Sequence, residues 1–130
     1  MKTVSRFAAV SGALALAALA AGCASSFSRL DGERYYRTNL DTYPVTVTHV
    51  DGKSTALRSP VLVEAGRHEV TVQAMPTPAQ RVGESRTITL DVAPCTRYWL
   101  VAVKPGPLST DFSVRVDYTE AIAGCAPPRA

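Results

Sequence analysis

Residues 45–74 read VTVTHVDGKSTALRSPVLVEAGRHEVTVQA. In the first and last parts of this stretch apolar residues alternate with polar ones, and a period of two is typical of strands with one buried face. The dipeptide Asp51-Gly52 and the triplet Glu64-Ala65-Gly66 are turn signals between the alternating parts. The stretch therefore predicts consecutive strands joined by short turns.

The sequence after residue 74 continues the pattern. Ile88–Val92 and Phe112–Tyr118 alternate, whereas Tyr98–Val103 is apolar on both faces and is typical of an interior strand. Met75–Glu84 and Lys104–Asp111 contain prolines and glycine and are predicted to be loops. Six or seven short strands without helical crossovers predict an all-β fold, a small antiparallel β-sandwich over residues 44–125 with a tail at 126–130.

Length and composition limit the function classes. The chain has 130 residues, which is enough for one domain and too few for two separate cores. Its formal net charge of +3 gives no electrostatic footprint for binding nucleic acid. No repeat period or polar low-complexity tract is present, so collagen-like and wholly disordered chains are excluded.

The first 22 residues have the three parts of an export signal. Lys2 and Arg6 give a positive start, Phe7–Ala21 lacks charge, and small residues follow. Because the uncharged run is short and rich in alanine, we expect it to be cleaved; an uncleaved membrane anchor is the alternative.

The segment Leu19-Ala20-Ala21-Gly22-Cys23 resembles the lipobox of bacterial lipoproteins, with Ala20 at the position where that family prefers leucine. The resemblance implies that the Cys23 thiol receives a diacylglyceryl group, that the signal is cut before it, and that the new amino terminus is acylated. Ala24, rather than aspartate, after the cysteine implies a lipid anchor in the outer membrane, facing the periplasm.

The other cysteines form an even pair if Cys23 carries lipid. An exported protein is in an oxidising compartment, so we expect a disulfide between Cys95 and Cys125. Two free buried cysteines are the alternative.

Residues 23–43 lack a sustained period of two or 3.6 and are predicted to be the lipidated N-terminus and a tether. Within it, Arg34, Tyr35, Tyr36 and Arg37 are a candidate binding surface, because tyrosine and arginine are enriched in binding hot spots. The alternative is that these rings pack on the protein's own domain.

The order Asp51-Gly52, Ser59-Pro60-Val61 and then Glu64 to Val72 resembles the PEGA-type domain, a small β-sandwich module of bacterial surface proteins. The similarity covers about residues 45–103, with Ala65 where the family often has proline. The resemblance implies a binding or structural module rather than a catalyst.

Few residues in the sequence indicate catalysis or metal binding. His49 and His68 are predicted to point inward, and two histidines without further ligands do not define a zinc site, so no metal or cofactor is expected. Nucleophile-elbow, zinc-helix and phosphate-loop motifs are absent from the sequence, so we expect no enzyme. Trp99 is predicted to lie in the core. One anion-binding patch is an alternative for the arginines at positions 34, 37, 58, 67, 81 and 86.

The sequence therefore favours a lipid-anchored, non-catalytic protein of the cell envelope that contacts a protein or cell-wall partner through edges and loops. A hydrolase inhibitor, for example of lysozyme, is the alternative. An inhibitor needs a rigid loop, for which Met75–Glu84 and Lys104–Asp111 are the candidates.

Overall fold

A computed structural model describes residues 26–33, 40–78 and 80–127. This part of the chain contains no helix and is built from nine strands in two sheets, so the predicted all-β fold class is confirmed. The strands are β1 (Ser28–Asp31), β2 (Thr42–Tyr43), β3 (Val45–Val50), β4 (Lys53–Ser54), β5 (Val61–Val63), β6 (Gly66–Ala74), β7 (Ser85–Val92), β8 (Thr96–Val103) and β9 (Ser113–Ala121).

The first sheet is centred on β8. Strand β9 pairs along one side of β8, and β1 and β2 share its other side, with β5 next to β1. The second sheet has the order β4-β3-β6-β7. All pairs are antiparallel except β1 with β8, which is parallel. The count exceeds six or seven because the structure adds the two-residue strands β2 and β4 and the strand β1.

Strand β1 corrects the predicted tether. Its residues belong to the fold, and Ser28 and Leu30 are fully buried. The polar members are buried because they have partners: Ser28 Oγ accepts the Thr96 N–H at 3.0 Å, and Arg97 Nη2 donates to Asp31 Oδ2 at 2.5 Å. The domain therefore begins near residue 28 rather than at residue 44.

The core lies between the sheets and is mostly aliphatic. Both sheets contribute to it, and its largest fully buried apolar residues are Leu30, Val45, Val70, Val72 and Leu100. Alternation along β6 places Val70, Val72 and Ala74 inside, as the sequence predicts.

Three side chains, those of His49, Tyr118 and Trp99, point in other directions than the sequence predicts. A register shift between Val47 and His49 turns His49 outward into solvent. A second shift between Trp99 and Leu100 leaves Tyr118 exposed. Trp99 is half-buried on the outer face of the first sheet, where the Arg97 guanidinium lies 4.2 Å from its ring centroid, so it is not a core residue.

Cys95 and Cys125 form the predicted disulfide, with 5.5 Å between their Cα atoms. The bond closes a loop that contains β8 and β9. It therefore fixes the end of the chain to the start of the central strand.

The connections gather at two poles. The N-terminal pole contains Ser26–Phe27, the turns at 64–65 and 93–95, and the segment 122–127. The loop pole contains the loops 75–84 and 104–111. Both loops lie at the same end because β6 and β8 run toward it and β7 and β9 run back from it.

Gly83 allows the first loop to close. A Cβ at this position would lie 1.7 Å from the carbonyl oxygen of Ala74, whereas a Cβ at Gly106 in the second loop meets nothing within 4 Å. We expect Gly83→Ala to lower the free energy of unfolding by about 1 to 3 kcal/mol, the range for overpacking. In urea unfolding, Gly106→Ala serves as the matched control, and equal effects of the two substitutions would contradict the close approach.

Candidate interaction surface

The first loop of the loop pole has its own hydrogen bonds. The Ala74 N–H donates to the Glu84 carbonyl at 2.9 Å and closes the neck of the loop. Gln73 Nε2 donates to the Gly83 carbonyl at 2.9 Å. Thr77 and Gln80 exchange two backbone hydrogen bonds of 3.0 Å. The loop 75–84 is therefore a shaped extension of the β6–β7 hairpin.

The second loop is held at both ends. The Lys104 N–H donates to the Asp41 carbonyl at 3.0 Å, which ties the loop to the residues before β2. Ser109 contributes its N–H to the Gly106 carbonyl at 3.2 Å and its hydroxyl to the Asp111 carbonyl at 3.1 Å. The loop 104–111 consequently has an internal turn and a fixed exit into β9.

Arg86 links the two loops. Its Nη2 lies 3.0 Å from Glu84 Oε2 and 3.4 Å from Asp111 Oδ1, and its guanidinium carbon lies 4.8 Å from the centroid of the Phe112 ring. Each exposed ion pair contributes little to stability. The arrangement instead fixes the position of one loop relative to the other.

A buried lysine lies near the same Phe112 ring. Lys104 is 4% exposed, and its Nζ lies 5.5 Å from the Tyr43 ring centroid and 5.9 Å from that of Phe112. An ammonium group at such distances is attracted by the faces of aromatic rings. Sequence patterns indicate Arg86 only for an anion-binding patch and Lys104 only as the first residue of a loop, and they do not indicate Phe112 as a site residue. They miss the association of these residues because the partners are distant in sequence.

The loop pole exposes several large apolar side chains. Leu40 is 92% exposed, Val82 69%, Leu108 66% and Met75 50%. Single exposed apolar residues are ordinary on protein surfaces, but here four from three connections share one end of the domain. Charged residues lie among them: Asp41, Arg81, Glu84, Arg86 and Asp111. Apolar anchors within a polar rim are typical of a protein-binding surface.

Cys23 and the cluster Arg34, Tyr35, Tyr36 and Arg37 lie outside the described residues. Of the remaining arginines in the predicted anion patch, Arg67 is at the N-terminal pole beside Asp91, while Arg86 is at the loop pole. The described arginines therefore do not form one patch.

His68 and Asp51 form a clasp between two turns. His68 Nδ1 lies 2.6 Å from Asp51 Oδ2, and His68 Nε2 lies 2.8 Å from the Glu64 carbonyl oxygen. The other carboxylate oxygen of Asp51 accepts the Glu69 N–H at 2.9 Å. Because both ring nitrogens face acceptors, this environment favours the doubly protonated imidazolium. The clasp has a structural role that leaves neither nitrogen available to a ligand.

These contacts shift both pKa values. The hydrogen bond to Asp51 is the main cause that raises the pKa of His68 above 6.5, and the bond to Glu64 adds to it while partial burial opposes it. The hydrogen bond from His68 is the main cause that lowers the pKa of Asp51 below 3.8.

The clasp predicts that stability falls as the pH rises above the pKa of an unfolded histidine. A histidine whose folded pKa exceeds its unfolded value contributes fully below the unfolded pKa, and that contribution is lost as the pH rises through the folded pKa. We expect the free energy of unfolding to decrease as the pH rises from about 6.5 through the folded pKa of His68. His68→Gln should remove this dependence and the exposed control His49→Gln should retain it in urea unfolding across a pH series. An unchanged dependence in His68→Gln would refute the clasp.

A groove of about 490 Å³ opens between the edge strands β4 and β5, beside Phe27 and Val50. These edges are two and three residues long, and short edge strands present little backbone for an added strand.

Among the described residues, no group of three or more His, Cys, Asp or Glu side chains is placed to hold a metal ion. The same residues contain no helix with the length and hydropathy of a membrane span.

Comparisons with protein-family models, with curated proteins and with solved structures found no match to this chain.

Proposed function

We propose that the protein is a lipid-anchored, non-catalytic component of the bacterial cell envelope that binds a protein partner through its loop pole. The observation that carries this proposal is that the N-terminal pole and the loop pole lie at opposite ends of the domain. The Ser26 carbonyl accepts the Cys95 N–H at 3.2 Å, so the chain enters the fold at the N-terminal pole. The hydrogen-bonded, partly apolar loops lie at the opposite end.

The proposed anchor and the loop pole are therefore separated by the length of the domain. Strand β8 has eight residues, and a rise of about 3.4 Å per residue makes it about 25 Å long. If Cys23 is lipidated, the loop pole points away from the bilayer that holds the anchor. The Cys95–Cys125 disulfide is compatible with an oxidising compartment such as the periplasm.

A non-catalytic role agrees with the chemistry of the described residues. The pKa of His68 is raised, but both of its ring nitrogens are hydrogen-bonded within the clasp, to Asp51 and Glu64. The PEGA-type resemblance of residues 45–103 implies a binding or structural module as well.

Photocrosslinking in cells tests the proposal. A photoreactive residue at Val82 or Leu108 is expected to capture the same envelope protein, because both side chains project from the loop pole. Leu62, which is 61% exposed on β5 and pairs with Arg29 near the start of β1, is the matched control and should not capture that protein. Identical adducts from all three positions, or none from the loops, would contradict the proposed surface.

A second candidate is the inhibition of a hydrolase such as lysozyme. The observation that favours this function is the contact of Arg86 with both loops, through Glu84 and Asp111. An inhibitor needs a rigid loop that enters a cleft, and this contact restrains the two loops. Stoichiometric inhibition of lysozyme by the protein, lost in Leu108→Asp, would favour this function over an envelope partner. Absence of inhibition together with one captured envelope protein would favour the first proposal.

A further inference from the structure

The proposed anchor leaves almost no tether. Only Ala24 and Ser25 separate Cys23 from Ser26, whose carbonyl is bonded to the start of β8. Three residue steps of fully extended chain span at most about 10 Å. This step rests on the proposed lipidation of Cys23, and it holds the N-terminal pole within that distance of the lipid headgroups.

Three segments of the N-terminal pole carry no charge. The segments 26–28, 93–96 and 122–127 contain no ionisable acid or base apart from the disulfide-bonded cysteines. The charged side chains of this pole lie on the neighbouring turns and strand ends: Asp51, Glu64, Arg67, His68, Glu69 and Asp91. Contact of the three uncharged segments with a bilayer interface therefore costs little desolvation of charge.

A partly exposed aromatic side chain lies at this pole, beside the groove between β4 and β5. Phe27 is 42% exposed and is four residues from Cys23. Apolar and aromatic side chains of interfacial segments enter the boundary between headgroups and acyl chains by about 5–10 Å. The position of Phe27 is fixed, because Ser26 before it is bonded to Cys95 and Ser28 after it is paired in β1.

We propose that the N-terminal pole is a membrane-docking surface, and that its occupant is the bilayer holding Cys23. Phe27 enters the interface, and the uncharged segments 93–96 and 122–127 rest on the headgroups. The disulfide keeps these segments together with Ser26. Docking gives the domain a defined orientation, with β8 directed away from the membrane.

Tryptophan quenching by brominated lipid tests the docking. Lipidated Phe27→Trp protein is purified from membranes and reconstituted in vesicles of phosphatidylethanolamine and phosphatidylglycerol brominated near the top of the acyl chains. Leu108→Trp at the loop pole is the matched control, and the wild-type signal of Trp99 is subtracted from both. We expect the added tryptophan at position 27 to lose most of its emission and to be blue-shifted, and the one at position 108 to keep its emission.

The possible failures are distinguishable. If Phe27→Trp is not quenched although the protein remains on the vesicles through its acyl chains, the docking is overturned and the lipid anchor stands. If the protein carries no acyl chains and does not associate with the vesicles, the lipid anchor fails, and the docking fails with it. A flexible Gly-Ser insertion between Ser25 and Ser26 should reduce the quenching, since the short linker holds the pole at the membrane.

Discussion

Replacing Cys23 by serine is expected to abolish acyl labelling of the protein and to release it from membranes. Serine supplies a hydroxyl where the proposed modification needs a thiol, whose thiolate is the nucleophile. Several acyl chains hold a protein on a bilayer far more firmly than one chain, so their loss has the largest effect that we expect from any single substitution. The measurement is incorporation of a labelled fatty acid, followed by fractionation of the envelope.

The matched control is the double variant Cys95→Ser, Cys125→Ser. It also loses thiols, but the two cysteines are joined to each other in the structure, so acyl labelling should remain. Undiminished labelling in Cys23→Ser would contradict the lipid anchor. Retention on membranes without labelling would instead indicate that the apolar segment 7–21 stays attached as an anchor.

Loss of the disulfide should produce the largest effect on stability. The bond closes a loop with a sequence separation of 30 residues. In the chain-entropy model, a loop of this length lowers the entropy of the unfolded chain enough to stabilise the fold by about 3 to 4 kcal/mol. This is a large share of the stability of a small domain, for which about 5 to 15 kcal/mol is usual.

Urea unfolding of the two single variants and the double variant measures this effect. Each single variant breaks the same bond, so the double variant should be about as unstable as either one, and the effects should not add. Wild-type protein in reducing agent is the internal control and should match the double variant. A loss smaller than about 1 kcal/mol would contradict a stabilising role for the bond.

Local sequence patterns predicted the parts of the fold that have a regular period. The alternation of β6 survives because all its residues from Gly66 to Gln73 pair with β7 without interruption. The prediction from alternation failed at His49 in β3, because the bulge after Val47 shifts which residues face the core. A bulge depends on the partner strand and has no local signal. The sequence patterns also missed β1, whose polar residues are buried with partners that include Thr96 and Arg97 of β8.

The candidate surface was predicted in part. Proline and glycine marked both loops, and the cysteine count indicated the disulfide that ties Cys95 to the C-terminal segment. The contact between the loops had no local signal, because Arg86 and Asp111 are 25 positions apart and meet only when both sheets have formed. The small number of residues between Cys23 and the fold was also missed, since it depends on recognising β1 as a strand.

Mass spectrometry of the N-terminal peptide from the mature protein shows whether Cys23 carries the lipid anchor. We expect a peptide that begins at Cys23 and carries a diacylglyceryl group on its thiol and an acyl group on its amine. A mature protein that begins elsewhere, or a peptide that contains Cys23 with an unmodified thiol, would contradict the lipid anchor and the orientation that follows from it.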